Sequence, residues 1–233
     1  MKYLTALAAL AALSACASRP AMVSAPPLPA LEPPRQGWRA IASEEDAARL
    51  DGLPRTWQAA LDAAAKFRRA LAREGDLLAP EAARNHPAPP PGSYHCRLVK
   101  LGQAERREAP YRGYPAFFCN VRGDTNESLF FTKQTGSELP SGWLHRDGEA
   151  RRLVLTGAKQ PSGNGTSLVY GEDAASDLVG VVERIGPFRW RIVMPWRGET
   201  PGLDIYELTP VAPEQQAAEP LPALERTVAL DRR

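Results

Sequence analysis

Residues 178–194 read LVGVVERIGPFRWRIVM. Two apolar runs, Leu178–Ile185 and Arg189–Met194, flank the turn signal Gly186-Pro187. In the second run alternate positions sort by chemistry. Trp190, Ile192 and Met194 fall on one face of an extended chain and both arginines on the other, because successive strand side chains point to opposite faces. The period is 2, not 3.6, and the pair of runs predicts an antiparallel hairpin.

The same period extends outward in both directions, from Tyr94 to Thr209. Further runs are His95–Leu101, Ala116–Arg122, Ser128–Lys133, Gly142–His145, Arg152–Thr156, Thr166–Tyr170 and Leu203–Leu208, for nine in all. Short turn signals such as Arg146-Asp147-Gly148 and Asn164-Gly165 separate most of them. No intervening segment is long and periodic enough for a crossover helix, which argues against a parallel sheet. The expected fold is mainly β with an N-terminal helical arm (α+β). Its strands form an antiparallel meander that closes, fully or partly, into a small β-barrel, with a sandwich as the alternative.

Before the strands the period is helical. Ser43-Glu44-Glu45-Asp46 resembles a capping box with acids in the first turn, and Pro54 suits the start of a second helix. Trp57, Leu61, Ala64 and Leu71 recur on one face, and Gly75 follows Arg68, Arg69 and Arg73 as a C-terminal cap. The apolar stripe is expected to pack on the β-domain, with a helix partner surface as the alternative.

Of the chain's 23 prolines, clusters at 20–34, 80–91 and 210–222 mark three stretches that are neither helix nor central strand. They divide the chain into a signal peptide (1–15), a Cys-headed Pro-rich tether (16–37), one domain (38–210, with an arm at 38–84 and a barrel at 94–210) and a flexible tail (211–233). A net charge of +2 in 233 residues gives no electrostatic footprint of a nucleic-acid binder. Arg outnumbers Lys 24 to 5, a bias that a GC-rich genome produces without any functional cause.

The N-terminus carries an address. Leu4 to Leu13 is an apolar run of about ten residues, half of what spans a bilayer, behind the basic start Met1-Lys2. It ends in Leu13-Ser14-Ala15-Cys16, which matches a bacterial lipobox, with Cys16 as the lipidated thiol. Ordinary secretion with cleavage at Ala15-Cys16-Ala17 is the alternative. Two or three acyl chains at about 0.8 kcal/mol per buried methylene anchor a protein for good. Ala17 and Ser18 lack the Asp that holds lipoproteins at the inner membrane, so the periplasmic face of the outer membrane is expected. Cleavage removes Lys2 and lowers the charge from +2 to +1.

With Cys16 assigned, Cys96 and Cys119 remain as an even pair in an oxidising compartment. Each shares a strand face with apolar neighbours, and a bridge closing a loop of about 24 residues adds roughly 3 kcal/mol on the chain-entropy model. A reactive thiol beside His95 and a metal site are the alternatives. His86, His95 and His145 fall in no metal-ligand spacing, and no metal or cofactor is expected.

Cys96-Arg97-Leu98-Val99-Lys100-Leu101-Gly102, Phe118-Cys119, Lys133–Ser137, Glu183–Pro187 with Trp190-Arg191, and Leu203-Asp204 with Glu207-Leu208 are similar to a family of alphaproteobacterial exported proteins. That family is classed only as a domain of unknown function. The resemblance covers about 38–210, supports an exported, disulfide-bonded single domain, and implies no activity.

The chemistry-bearing motifs are few. There is no G-x-S-x-G elbow and no P-loop. Asn126-Glu127-Ser128 matches a glycosylation sequon, and Glu172, Asp173 and Asp177 are clustered acids that form a solvated turn or, as the alternative, bind a cation, although a Ca²⁺ loop needs more widely spaced oxygens. Lys133 to Glu138 is the densest polar stretch between apolar runs, either a rim loop whose Lys133 and Glu138 meet a ligand or a hairpin connection with a salt bridge. Tyr111 and Tyr114 stand beside Arg112 in a loop that would expose aromatics to a polysaccharide or partner. Glu183 and Glu207 lie on strands and would form an acid/base pair if both entered one cavity. The expected function is a non-enzymatic envelope lipoprotein whose barrel binds a small apolar ligand or an envelope protein, held to the membrane by its lipid. The alternative is an envelope hydrolase acting on cell-wall or lipid substrates.

Overall fold

A computed structural model describes residues 37–124, 128–135, 138–161 and 169–212. The signal peptide, Cys16, the tether, nearly all of the tail, Gly163–Thr166, most of the sequon and Gly136-Ser137 lie outside the described residues. No described helix is long and apolar enough to cross a membrane.

Among the described residues, nine strands follow four α-helices in chain order. The helices are α1 (Trp38–Ile41), α2 (Glu44–Asp51), α3 (Leu53–Ala63) and α4 (Arg68–Glu74). The strands are β1 (Gly92–Gly102), β2 (Tyr111–Gly113), β3 (Phe117–Asp124), β4 (Ser128–Lys133), β5 (Glu138–Arg146), β6 (Leu153–Pro161), β7 (Asp177–Gly186), β8 (Arg189–Pro195) and β9 (Gly202–Pro210). Every pairing is antiparallel, and β1 closes on β9 from Tyr94↔Pro210 to Gly102↔Gly202. The result is a closed eight-stranded barrel, with β2 outside it on the far end of β1. Closure leaves no edge on the eight barrel strands, which answers the barrel-or-sandwich question.

The alternation read in Arg189–Met194 sorts the two cores. Trp190, Ile192 and Met194 join Tyr94, Phe131, Leu155 and Leu208 inside the barrel. Cys96 and Cys119 are also inward, on neighbouring strands with Cα atoms 5.9 Å apart, and they form the disulfide. The outward residues Val99, Val181, Val193 and Ile205 meet Leu53, Trp57, Ala60 and Leu77 of the arm. The Trp57 stripe therefore packs on the barrel, as its periodicity suggested.

The arm is capped as its sequence requires. Ser43 Oγ accepts from the Asp46 N–H at 3.1 Å, and Gly75, at φ 54°, ends α4. Asp46 itself is fully buried, bonded to Ser43, Arg49, Arg197 and the Tyr170 hydroxyl, so α2 is pinned to the β8–β9 connection.

Under α3 and α4 the outer barrel face carries a row of alternating charge. Register sets Glu183 (β7) opposite Arg191 (β8), Arg191 opposite Glu207 (β9), and Glu207 opposite Arg97 (β1). Opposite charges on adjacent strands stabilise the row. Arg97 also bonds the Glu74 carboxylate at the end of α4, at 3.0 Å from Nη1, while Arg189 bonds Glu207.

Two strand expectations change. Tyr111–Gly113, read as loop, is β2; it pairs Val99–Leu101 of β1 beyond the point where β3 leaves that edge. Thr166–Tyr170, read as strand, is not one where it is described. Val169 and Tyr170 sit in a turn, and the Tyr170 hydroxyl accepts from the Ser43 N–H at 2.9 Å. β6 pairs β7 directly over Leu153–Ala158, with no strand between them there.

Candidate functional site

Strand direction gives the barrel two chemically different ends. At one end, β3 finishes, β4 begins, β5 finishes and β6 begins, and the chain at Asn85–Ala88 passes over the opening before entering β1. These segments enclose a cleft of about 560 Å³. Its floor is the inward-facing trio Leu129, Leu144 and Leu153, and Pro87 and Ala88 add an apolar wall. Asn85, His86, Asp124, Ser128, Arg146 and Glu149 supply the polar rim. A concave apolar floor with a few polar groups around it is the usual shape of a small-molecule site.

The rim is braced. Arg152 bonds Asp147 at 2.6 Å and Glu149 at 3.0 Å, fixing the β5–β6 turn from within. The Trp38 indole N–H donates to the same Asp147, so α1 holds that turn from outside. His86 has φ 60°, and among the described residues it is the one non-glycine at positive φ. A left-handed histidine costs roughly 1–2 kcal/mol, and such strain gathers at functional positions.

The other barrel end brings together Lys133 and Glu138. Lys133 closes β4 and Glu138 opens β5. Lys133 points inward and is only 7% exposed; its Nζ donates to the Glu138 carbonyl oxygen at 2.7 Å and lies over the Phe117 ring. The Glu138 carboxylate instead pairs with Lys159, at 3.4 Å. The two residues of this hairpin connection thus meet through a main-chain contact, and the salt bridge at its edge is made by Glu138 with Lys159.

Tyr111 and Tyr114 do not join either end. The Tyr111 hydroxyl donates to Glu74 Oε1 at 2.6 Å, and its ring packs on Phe67, so it ties β2 to the arm instead of standing exposed. Burial alone would raise the Glu74 carboxyl, but bonds from Arg97 and Tyr111 outweigh it and hold the group below the usual carboxylate range. Tyr114 is exposed on its side of the barrel.

Glu183 and Glu207 do not converge in a cavity. Both face outward in the charged row, with Arg191 between them, and each is ion-paired: Glu183 with Arg191, Glu207 with Arg97 and Arg189. Among the described residues, no three of His, Cys, Asp or Glu gather to hold a metal. His145, on β5, meets Thr156 Oγ1 at 2.8 Å, and burial pushes its imidazole down to about 4.

The cleft residues carried little signal in the sequence. His86, Asp124, Arg146 and Glu149 come from three separate connections and are adjacent only after the barrel closes.

No curated protein and no solved structure matches the chain. A family profile matches residues 38–208, from the start of α1 into β9, which is the arm and barrel together. The chain therefore belongs to the DUF4893 family, a domain of unknown function.

Proposed function

We propose that the protein is an envelope lipoprotein, anchored through Cys16, whose barrel is a binding module for a small ligand with an apolar body. The supporting observation is the braced cleft of about 560 Å³, with its Leu129, Leu144 and Leu153 floor and polar rim. Apolar contact with the floor would supply affinity and the rim would fix orientation.

The hydrolase reading keeps one specific observation in its favour. His86, with its strained backbone, shares the cleft with the carboxylates of Asp124 and Glu149. A His–acid set in a cleft is the arrangement general acid–base chemistry uses.

Native mass spectrometry on protein extracted from its own host membranes separates these readings. Wild type is expected to carry a small molecule that denaturation releases, and Ala150→Trp, which fills the cleft from an exposed rim position, is expected to lose it. Turnover of envelope extracts that His86→Ala abolishes would instead establish the hydrolase. Cys16→Ala is expected in the soluble periplasmic fraction; if it stays with the membrane, the anchor is wrong.

A further inference from the structure

The chain has five lysines against 24 arginines, and three of the five meet at the barrel end opposite the cleft. Lys100 shares its face of β1 with Cys96 and Leu98, Lys133 its face of β4 with Leu129 and Phe131, and Lys159 its face of β6 with Leu153 and Leu155. All three therefore belong to the inward side, and each lies near the same end of its strand.

Two carboxylates accompany them. Lys100 Nζ is 3.5 Å from Asp204 Oδ2, and Lys159 Nζ is 3.4 Å from Glu138 Oε1. Asp204 is also held by the Trp196 indole N–H at 2.6 Å. Lys133 is the third ammonium. Among the described residues its contacts are the Glu138 carbonyl and the Phe117 ring, and no carboxylate lies within ion-pair distance. Three ammonium groups against two carboxylates leave one positive charge, and it falls on the deepest lysine.

That arrangement costs stability unless something completes it. A buried ammonium without a counter-ion is expensive, and here Lys100 and Lys159 add repulsion. Burial first, then those two lysines, push the Lys133 ammonium below its ordinary range, against the pull of Glu138 and Asp204. Lys159 and Glu138 have side chains 40% and 44% exposed, so the cluster opens to solvent at its outer edge and closes inward on Lys133.

We propose that this end of the barrel is an oxyanion-binding site in which Lys133, flanked by Lys100 and Lys159, takes one carboxylate or phosphate group. It is separate from the cleft and does not depend on the cleft binding anything. The apolar surface of Phe117 and Phe131 beside Lys133 suits a carboxylate on a short hydrocarbon chain; a free phosphate shares the same charge chemistry.

Five lysines make the test direct. The full chain, with 13C,15N-lysine and held in detergent, is titrated with octanoate, inorganic phosphate or chloride while the Lys Cε–Nζ signals are followed. Lys133 is expected to shift saturably, with smaller shifts at Lys100 and Lys159 and none at Lys66. Saturation with octanoate alone assigns the site to an amphiphile's carboxylate; saturation with phosphate alone assigns it to a free oxyanion. K159E, at a half-exposed position, is expected to weaken binding at least tenfold without lowering the melting temperature, and K133M to abolish it. No saturable shift with either probe, equal shifts at Lys66, or K159E binding as well as wild type would each overturn the proposal.

Discussion

Arg191 lies with its Nε 2.7 Å from Glu183 Oε2, and its guanidinium is wholly buried between barrel and arm. The rest of the guanidinium is spent on the arm's main chain. Nη1 donates to the carbonyls of Asp76, Leu77 and Ala79, and Nη2 to that of Pro80, at 2.8–3.1 Å. These carbonyls belong to the chain reversal just beyond α4. The Trp57 ring stacks over the same group at 4.5 Å. One side chain thus joins a strand pair, a helix and a chain reversal, and Arg alone has enough donors in a rigid fork to do so.

Replacing Arg191 with Met leaves Glu183 and four carbonyls without their partner. The expected cost is about 3–5 kcal/mol, read as the loss in unfolding free energy by urea titration. Limited proteolysis is expected to cut first near residues 76–82. Arg191→Lys keeps the charge but has too few donors, and it should recover less than half of the loss.

Gly142 and Gly157 face each other across β5 and β6, where the strands approach too closely for side chains. A Cβ on Gly157 would overlap the Ser141 carbonyl oxygen and stand 2.7 Å from Gly142 Cα. Both obstacles are backbone, so neither moves cheaply. Gly157→Ala is expected to destabilise by about 3 kcal/mol or to prevent folding, whereas Gly148→Ala, on an open turn where its cost is backbone strain alone, should lose roughly 1 kcal/mol.

Burial keeps the His145 imidazole neutral, down to about 4 against an ordinary 6.5. The unfolded chain binds the proton more readily between those values. Stability from this group is therefore complete above about pH 6.5 and drains away as pH falls towards 4. His145→Gln, which keeps a partner for Thr156, is expected to flatten that part of the pH–stability curve. A 1H NMR titration should show His145 still neutral at pH 5.

The Cys96–Cys119 bridge lies inside the barrel, with both cysteines buried. Reductant is expected to act slowly on the folded protein and quickly once urea opens it. The double variant Cys96→Ala/Cys119→Ala should lose about 3 kcal/mol, the chain-entropy value for a loop of this length.

Local alternation made most of the barrel legible in the sequence. Eight of the nine expected runs overlap barrel strands, and the cores divide as Arg189–Met194 indicated. Ser43 and Gly75 were equally readable, because caps act over three or four residues. β2 escaped notice because three residues between Pro110 and Pro115 are too few to show a period. Thr166–Tyr170 misled because an apolar residue such as Tyr170 alternates equally well when it docks on a helix. The sites were harder still. Alternation places Arg191 away from the core, but only tertiary packing puts an arm over it. Lys100, Lys133 and Lys159 meet only once eight strands close in one register.

The cleft at the end of β3–β6 is where the functional proposal stands or falls. The most direct measurement is 1H–15N chemical-shift mapping of the chain while a lipid-soluble extract of the host envelope is added. Shifts are expected at residues 85–88, 129, 144 and 148–153, and are expected to vanish in Ala150→Trp. An unchanged spectrum, or shifts that persist in Ala150→Trp, would contradict the account.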